Sequence, residues 1–88
     1  MVLTKLNAIK GLSNVLVYPN PAANSINIEN AVNSDVTVFN ELGKIVMYQK
    51  KINTIQVLDI SSLKNGIYLV KLSKDNSSAT RKIVVNKR

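Results

Sequence analysis

Apolar positions fall in short runs along this chain, and their spacing predicts β-strands almost throughout. Val15 to Tyr18 opens the pattern, and Ser25-Ile26-Asn27-Ile28 alternates polar and apolar as a half-buried strand does. Asp35 to Asn40 sets Val36 and Val38 on one side, and Lys44 to Gln49 follows after Glu41-Leu42-Gly43. Two strands joined by so short a loop form a hairpin, with Gly43 in the left-handed position that closes it. Ile52 to Leu58 predicts another strand, with Ile55 and Val57 sharing a face. The organising element is Leu63 to Leu72: Tyr68, Val70 and Leu72 line one face and Ile67, Leu69 and Lys71 the other. Apolar side chains on both faces predict a central strand, covered by a core on one side and over much of the other. Lys74 to Ser77 reads as a hairpin turn, and Ala79 to Val85 as the last strand, whose Ile83-Val84-Val85 end should pair with the central one.

The punctuation between these runs is specific. Pro19-Asn20-Pro21 fixes φ twice and removes two backbone donors, which predicts a rigid corner carrying the chain from one sheet to the other. At Asp59-Ile60-Ser61-Ser62-Leu63, Asp59 or Ser61 would cap a single helical turn, with Ile60 and Leu63 facing the same way, and deliver the chain through Asn65-Gly66. Near the start, Leu3, Leu6, Ile9 and Leu12 recur every third position, but Gly11 and Ser13 end any helix early. Residues 1–14 are therefore expected to be a linker or passenger remnant, and residues 15–88 a single domain. About seven short strands with turn signals roughly every 8 to 12 residues predict an all-β fold, a small antiparallel immunoglobulin-like β-sandwich. A small open barrel shares this periodicity; a central strand covered on both faces favours two packed sheets.

Composition narrows the chemistry. With 88 residues the chain makes one domain, and it contains neither cysteine nor histidine. Disulfides, thiolate chemistry, the commonest general base and the commonest metal ligand are thereby removed. Five acidic residues are scattered singly, so no catalytic, cofactor or metal site is expected; Asp59 with Glu41 is the one carboxylate pairing to propose, and turn roles explain both. The formal charge of +7 is spread over the chain. Tyr18, Phe39, Tyr48 and Tyr68 sit mostly in apolar strand patterns rather than in a stacking platform, which argues against a nucleic-acid partner. No run of about 18 apolar residues exists to span a bilayer. Met1 to Lys10 is a poor secretory leader; if the domain is exported, the signal lies elsewhere, on a longer parent chain. A carbohydrate- or protein-binding module of a surface protein is the alternative reading, with Tyr18 and Tyr48 as its aromatic platform.

Four stretches taken together resemble a family: Tyr18-Pro19-Asn20-Pro21-Ala22 with Ile26-Asn27-Ile28; Val38 to Val46, including Asn40-Glu41-Leu42-Gly43-Lys44; Leu58 to Leu63 leading to Gly66-Ile67-Tyr68-Leu69-Val70; and Arg81-Lys82-Ile83-Val84-Val85. Their order and spacing are similar to those of the C-terminal sorting domains of type IX secretion cargo. The resemblance implies a non-catalytic secretion signal on a passenger domain in cis, exported to the periplasm and recognised there by the outer-membrane secretion machinery of the Bacteroidota. The passenger would then reach the cell surface or be secreted. It also implies, in many cargoes, a sortase-like cysteine protease that removes the domain and joins the passenger to an anionic lipopolysaccharide. No cofactor is implied, and an open sheet edge would permit dimerisation by edge pairing.

By matching positions, the resemblance marks Pro19, Asn20, Pro21, Gly43, Lys44, Gly66 and Tyr68 as motif residues, and Arg81, Lys82, Ile83, Val84, Val85, Lys87 and Arg88 as the basic and apolar end that export needs. Backbone geometry alone accounts for Pro19, Pro21, Gly43 and Gly66. Tyr68 is expected in the core with its hydroxyl reaching a partner at the rim. The basic residues Arg81, Lys82, Lys87 and Arg88 read equally as solvated charges and as a docking surface.

Overall fold

The computed structural model describes residue 12 and residues 14–87. Seven strands follow in order: β1 (Leu16–Tyr18), β2 (Ser25–Glu29), β3 (Asp35–Phe39), β4 (Ile45–Gln49), β5 (Ile55–Asp59), β6 (Gly66–Lys74) and β7 (Ser77–Val85). They form two antiparallel sheets, β1-β2-β5 and β4-β3-β6-β7. This is the immunoglobulin-like sandwich that the strand count predicts. Leu3, Leu6 and Ile9 lie outside the described residues, whereas Leu12 is buried and joins the core.

The alternation read from the sequence decides which side chains meet between the sheets. Ile26 and Ile28 of β2 and Leu58 of β5 point inward from one sheet; Val36, Val38, Val70, Leu72, Ile83 and Val85 point inward from the other, all buried. Each fully buried Ile or Leu stabilises the fold by roughly 1.5–3 kcal/mol. Loop residues close the ends of this core. Ile52 is buried outside any strand because its amide donates to Ser34 O at 2.9 Å and its carbonyl accepts from Asn33 N at 2.9 Å. The strand expected over Ile52 to Leu58 therefore starts only at Ile55.

Strand β6 is central, pairing with β3 on one side and with β7 on the other, and the Ile83-Val84-Val85 end pairs with it as predicted, Ile67 lying opposite Val84. Its second face differs from expectation. Ile67 and Leu69 are 41% and 42% exposed, so the apolar outer face is half open to solvent rather than covered. Two packed sheets arise from the inner face alone.

Two further expectations are corrected. The Pro19–Pro21 corner does not move the chain between sheets, because β1 and β2 are antiparallel neighbours in the same sheet. Instead the corner reaches sideways to the edge of β7, where Ala22 bridges Val85. The segment after β5 is a tight turn, not a helical one: Leu63 N donates to Ile60 O at 3.0 Å, and Asp59 Oδ1 accepts from Ser61 N at 2.9 Å. Of the two capping candidates Asp59 is the one whose side chain accepts here, closing a non-helical turn in place of the expected helical one, and both Ile60 and Leu63 are buried. A single turn suffices because β6 begins immediately beyond it.

Candidate recognition site

The terminal hairpin is the longest paired element, with nine residues in each of β6 and β7 and Asp75-Asn76 between them. Asp75 adopts a φ of 53°, a conformation that short polar residues tolerate. On β7, Ile83 and Val85 face the core, while Lys82 and Val84 face outward. Lys82 is exposed and stands opposite Leu69.

The free edge of β7 is occupied by the proline corner. Asn20 Oδ1 accepts from Val84 N at 2.9 Å and Asn20 Nδ2 donates to Lys82 O at 3.1 Å, so one side-chain amide reproduces the pair of bonds a strand residue would make. Ala22 continues the imitation with its backbone, its N donating to Val84 O and its O accepting from Asn86 N, both at 2.8 Å. Farther along, Arg81 Nε donates to Val15 O at 3.2 Å and its Nη1 to Thr80 O at 3.0 Å. Pro19 and Pro21 position Asn20; they carry no contact of their own to β7 among the hydrogen bonds described.

The end of the chain is held equally firmly. Lys87 N donates to Asn65 Oδ1 at 2.8 Å, and Asn65 Nδ2 donates to Lys87 O at 3.4 Å. Lys87 Nζ donates to Ser61 O at 2.6 Å and also to Leu63 O. The ammonium therefore caps carbonyls left open by the turn between β5 and β6. Its charge also helps to hold the Asp59 carboxyl below its ordinary value, after the larger effects of the Ser61 hydroxyl and amide hydrogen bonds. Asn65 is a residue that sequence reasoning passed over as turn punctuation; an asparagine before a glycine gives no sign of which distant backbone its amide will meet.

The remaining motif residues separate into two groups. Tyr68 lies opposite Ile83, is buried, and donates its hydroxyl to Lys64 O at 2.7 Å. Gly66 lies opposite Val85 at the start of β6; its φ of 158° is a conformation that L side chains rarely adopt, although a Cβ there would meet the Tyr68 ring at only an ordinary 3.8 Å. These join the corner and the chain end in one seam. Gly43 and Lys44 lie away from it in the β3–β4 hairpin, where Gly43 has the left-handed φ of 82° that closes the loop. Asn40 ties that loop through Oδ1, which accepts from Leu42 N at 2.9 Å and Lys44 N at 3.0 Å. Arg88 lies outside the described residues.

The outer face of the four-stranded sheet presents a row running Ile45–Phe39–Leu69–Lys82 across all four strands, with Ile67–Val84 beside it. Lys71 faces the same side from β6. The opposite sheet exposes Leu16, Tyr18, Ile55 and Val57, with Tyr18 donating to the Glu29 carboxylate and its phenol pushed up chiefly by that bond. Tyr48 sits on β4 of the other sheet, donating to Asp35 Oδ2 at 3.4 Å. The two tyrosines proposed as an aromatic platform are thus on different sheets. Asp59 is engaged by its turn, and Glu41 is an exposed residue of the β3–β4 loop. Among the described residues no cluster of acidic side chains forms a metal site, and no helix is long and apolar enough to cross a membrane.

A sequence family described as a secretion system C-terminal sorting domain matches residues 16–86. Beta-agarase D of Zobellia galactanivorans (strain DSM 12802) is 33% identical over 69 residues, covering 78% of this chain and 14% of that protein. Ulvan lyase NLR42 of Nonlabens ulvanivorans is 31% identical over 80 residues, covering 85% of this chain and 15% of that protein. The chain thus spans only 14% and 15% of the length of these two curated relatives.

Proposed function

The chain belongs to the family of secretion-system C-terminal sorting domains, and from that premise we propose that the outer-membrane machinery reads the folded sandwich through its terminal hairpin. As a sorting domain it is a type IX secretion signal: it directs a passenger joined in cis across the outer membrane, to the cell surface or into the medium. The proposal concerns how it does so. The observation that carries it is the seam itself, in which the corner at Asn20, the turn carbonyls of Ser61 and Leu63 and the chain end at Lys87 are hydrogen-bonded only when the whole domain is folded. A receptor that touches this end therefore meets a finished fold.

In this reading the basic end divides its work. Arg81 and Lys87 act structurally, because their cationic groups are already bound to backbone carbonyls. Lys82, exposed on the outer face beside Leu69, and Lys71 on the same face of β6 are charges of the hairpin left for a receptor, and Lys44 is a further one across the sheet. Pro19, Asn20, Pro21, Gly43, Gly66, Tyr68, Ile83 and Val85 build the surface without touching the receptor. The domain performs no reaction of its own. A sortase-like cysteine protease is the partner proposed to remove it after export.

An inert exported reporter fused to the domain tests this. Deleting Ile83 to Arg88 should abolish surface delivery, but it also removes two core residues, so Lys82→Glu is the sharper variant. Delivery should fall while the melting temperature stays within a degree or two. Undiminished delivery of both variants would remove the hairpin from recognition.

A further inference from the structure

The sandwich has four sheet edges, and three carry a visible obstruction to pairing. β7 is covered by Asn20 and Ala22 from Lys82 to Asn86. β1 is three residues long. β5 has the carbonyl of Val57 taken by Gln56 Nε2 at 3.0 Å, and Gln56 Oε1 accepts from Asn53 N at 3.1 Å. The fourth edge is β4, at the end of the order β4-β3-β6-β7. Among the described residues no segment pairs with its outer side. Ile45, Val46 and Tyr48 give it the β-branched and aromatic character that pairs well, no proline interrupts it, and its irregularity is a register shift against β3 between Val38 and Phe39.

We propose that β4 is the docking edge of this domain, and that its partner is an extended segment of another protein, apolar at alternate positions and flanked by carboxylates. The charge pattern chooses the partner. Lys44 precedes the strand and Lys50 and Lys51 follow it, all exposed. Asp35, whose carboxylate accepts from the Tyr48 hydroxyl and from Lys51 N at 3.0 Å, and Glu41 in the preceding loop offset part of this charge, but three lysines against two acids leave the two ends of the strand net positive. An antiparallel pair of two β4 strands centred on Met47 would set Lys44 of each copy opposite Lys50 of the other, and like charges directly opposite are destabilising. The lysines that discourage a second copy attract a strand with acidic ends. Added there, the strand would extend the row Ile45–Phe39–Leu69, giving the half-exposed outer face of the central strand an apolar neighbour.

The inference rests on the sorting reading for its biological setting, and its test separates the two. The 88-residue chain is titrated with two peptides, Asp-Val-Thr-Val-Thr-Val-Asp and Lys-Val-Thr-Val-Thr-Val-Lys, while amide exchange is followed by NMR. The acid-flanked peptide should slow exchange at β4 and bind at least about ten-fold tighter than the lysine-flanked one; that factor corresponds to about 1.4 kcal/mol. Replacing Lys44, Lys50 and Lys51 by Glu should invert the preference while leaving the melting curve cooperative. No protection at β4 from either peptide, equal binding of the two, or concentration-dependent β4 protection without peptide would overturn the proposal. In the reporter fusion, normal export of the triple Glu variant would also overturn it while leaving the sorting reading intact; normal export after removal of the whole domain would overturn the sorting reading instead.

Discussion

Asn20 stands against Val84 as a single residue of an eighth strand, its side-chain amide accepting from Val84 N at 2.9 Å and donating to Lys82 O at 3.1 Å. Sixty-four positions separate the two residues in sequence, so the contact ties the start of the domain to its end. Asn20→Ala removes both bonds from a partly solvated edge, where water takes over some of their role. A loss of about 1–2 kcal/mol is expected. The diagnostic readout is local: exchange at the Val84 amide should accelerate far more than at Ile83, which is bonded within the sheet. Equal protection of Val84 in variant and parent would show that the amide of Asn20 does not guard this edge.

Lys87 behaves as a capping residue placed at the end of the chain. Its ammonium rests on Ser61 O at 2.6 Å and on Leu63 O, while its backbone pairs with Asn65. Lys87→Met keeps the aliphatic stem and loses the donor, and should cost about 1–2 kcal/mol because the bonds involve a charged group. Lys87→Arg should recover part of that loss. Denaturant melts of the three proteins measure both effects; a Met variant as stable as the parent would return Lys87 to the status of a solvated charge.

The strands were legible because their side chains alternate, and alternation is a local signal. Ile26 and Ile28, Val36 and Val38, and Tyr68, Val70 and Leu72 are buried as the period-2 pattern requires. Gly43 was legible for the same reason, since a short loop between two strands needs a left-handed residue. The seam was not. Whether Asn20 turns to solvent or to Val84, and whether Lys87 is a free charge or a cap, depends on which distant backbone groups are left unpaired. The outer face of β6 misled for a related reason: Ile67 and Leu69 carry the apolar signature of a covered strand, yet are 41% and 42% exposed. Apolarity records what a face prefers, not what lies upon it.

Tyr68 fills the core beneath the terminal hairpin and spends its one polar group on Lys64 O at 2.7 Å. Tyr68→Ala should cost roughly 3–5 kcal/mol, as truncation of a large buried aromatic does. Tyr68→Phe removes only the hydroxyl and should cost about 1 kcal/mol. The ratio between the two is the test, read from denaturant midpoints. An Ala variant within 1 kcal/mol of the parent would place Tyr68 at the surface and make it a contact residue.

Ser34 presents the opposite case. It is fully buried, and although its backbone is bonded to Ala31 and Ile52, its hydroxyl Oγ meets no partner among the described residues. A buried hydroxyl without a hydrogen bond is costly. Ser34→Ala retains the packing of Cβ and removes the unpaired group, so stability should rise by up to about 1 kcal/mol rather than fall. A drop of that size in thermal or chemical melts would reveal a bond that the hydroxyl makes in solution.

Asp59 links the seam to pH. Hydrogen bonds from the Ser61 hydroxyl and amide, aided by the Lys87 charge, hold its carboxyl below the ordinary value against a smaller opposing effect of desolvation. A carboxyl whose folded value is lowered binds its proton more readily when unfolded, so acidification favours unfolding. The contribution is fully present above the unfolded value of about 3.9 and is lost as pH falls through the lower folded one. Stability should therefore decline below about pH 4 more steeply in the parent than in Asp59→Asn, which keeps an acceptor for Ser61 N but does not titrate. Because Lys87 supplies part of the lowering, Lys87→Met should shallow the same acid limb without removing it. Superimposable acid limbs in all three proteins, measured as melting temperature between pH 2 and pH 6, would mean that the turn cap is insensitive to the charge on Asp59.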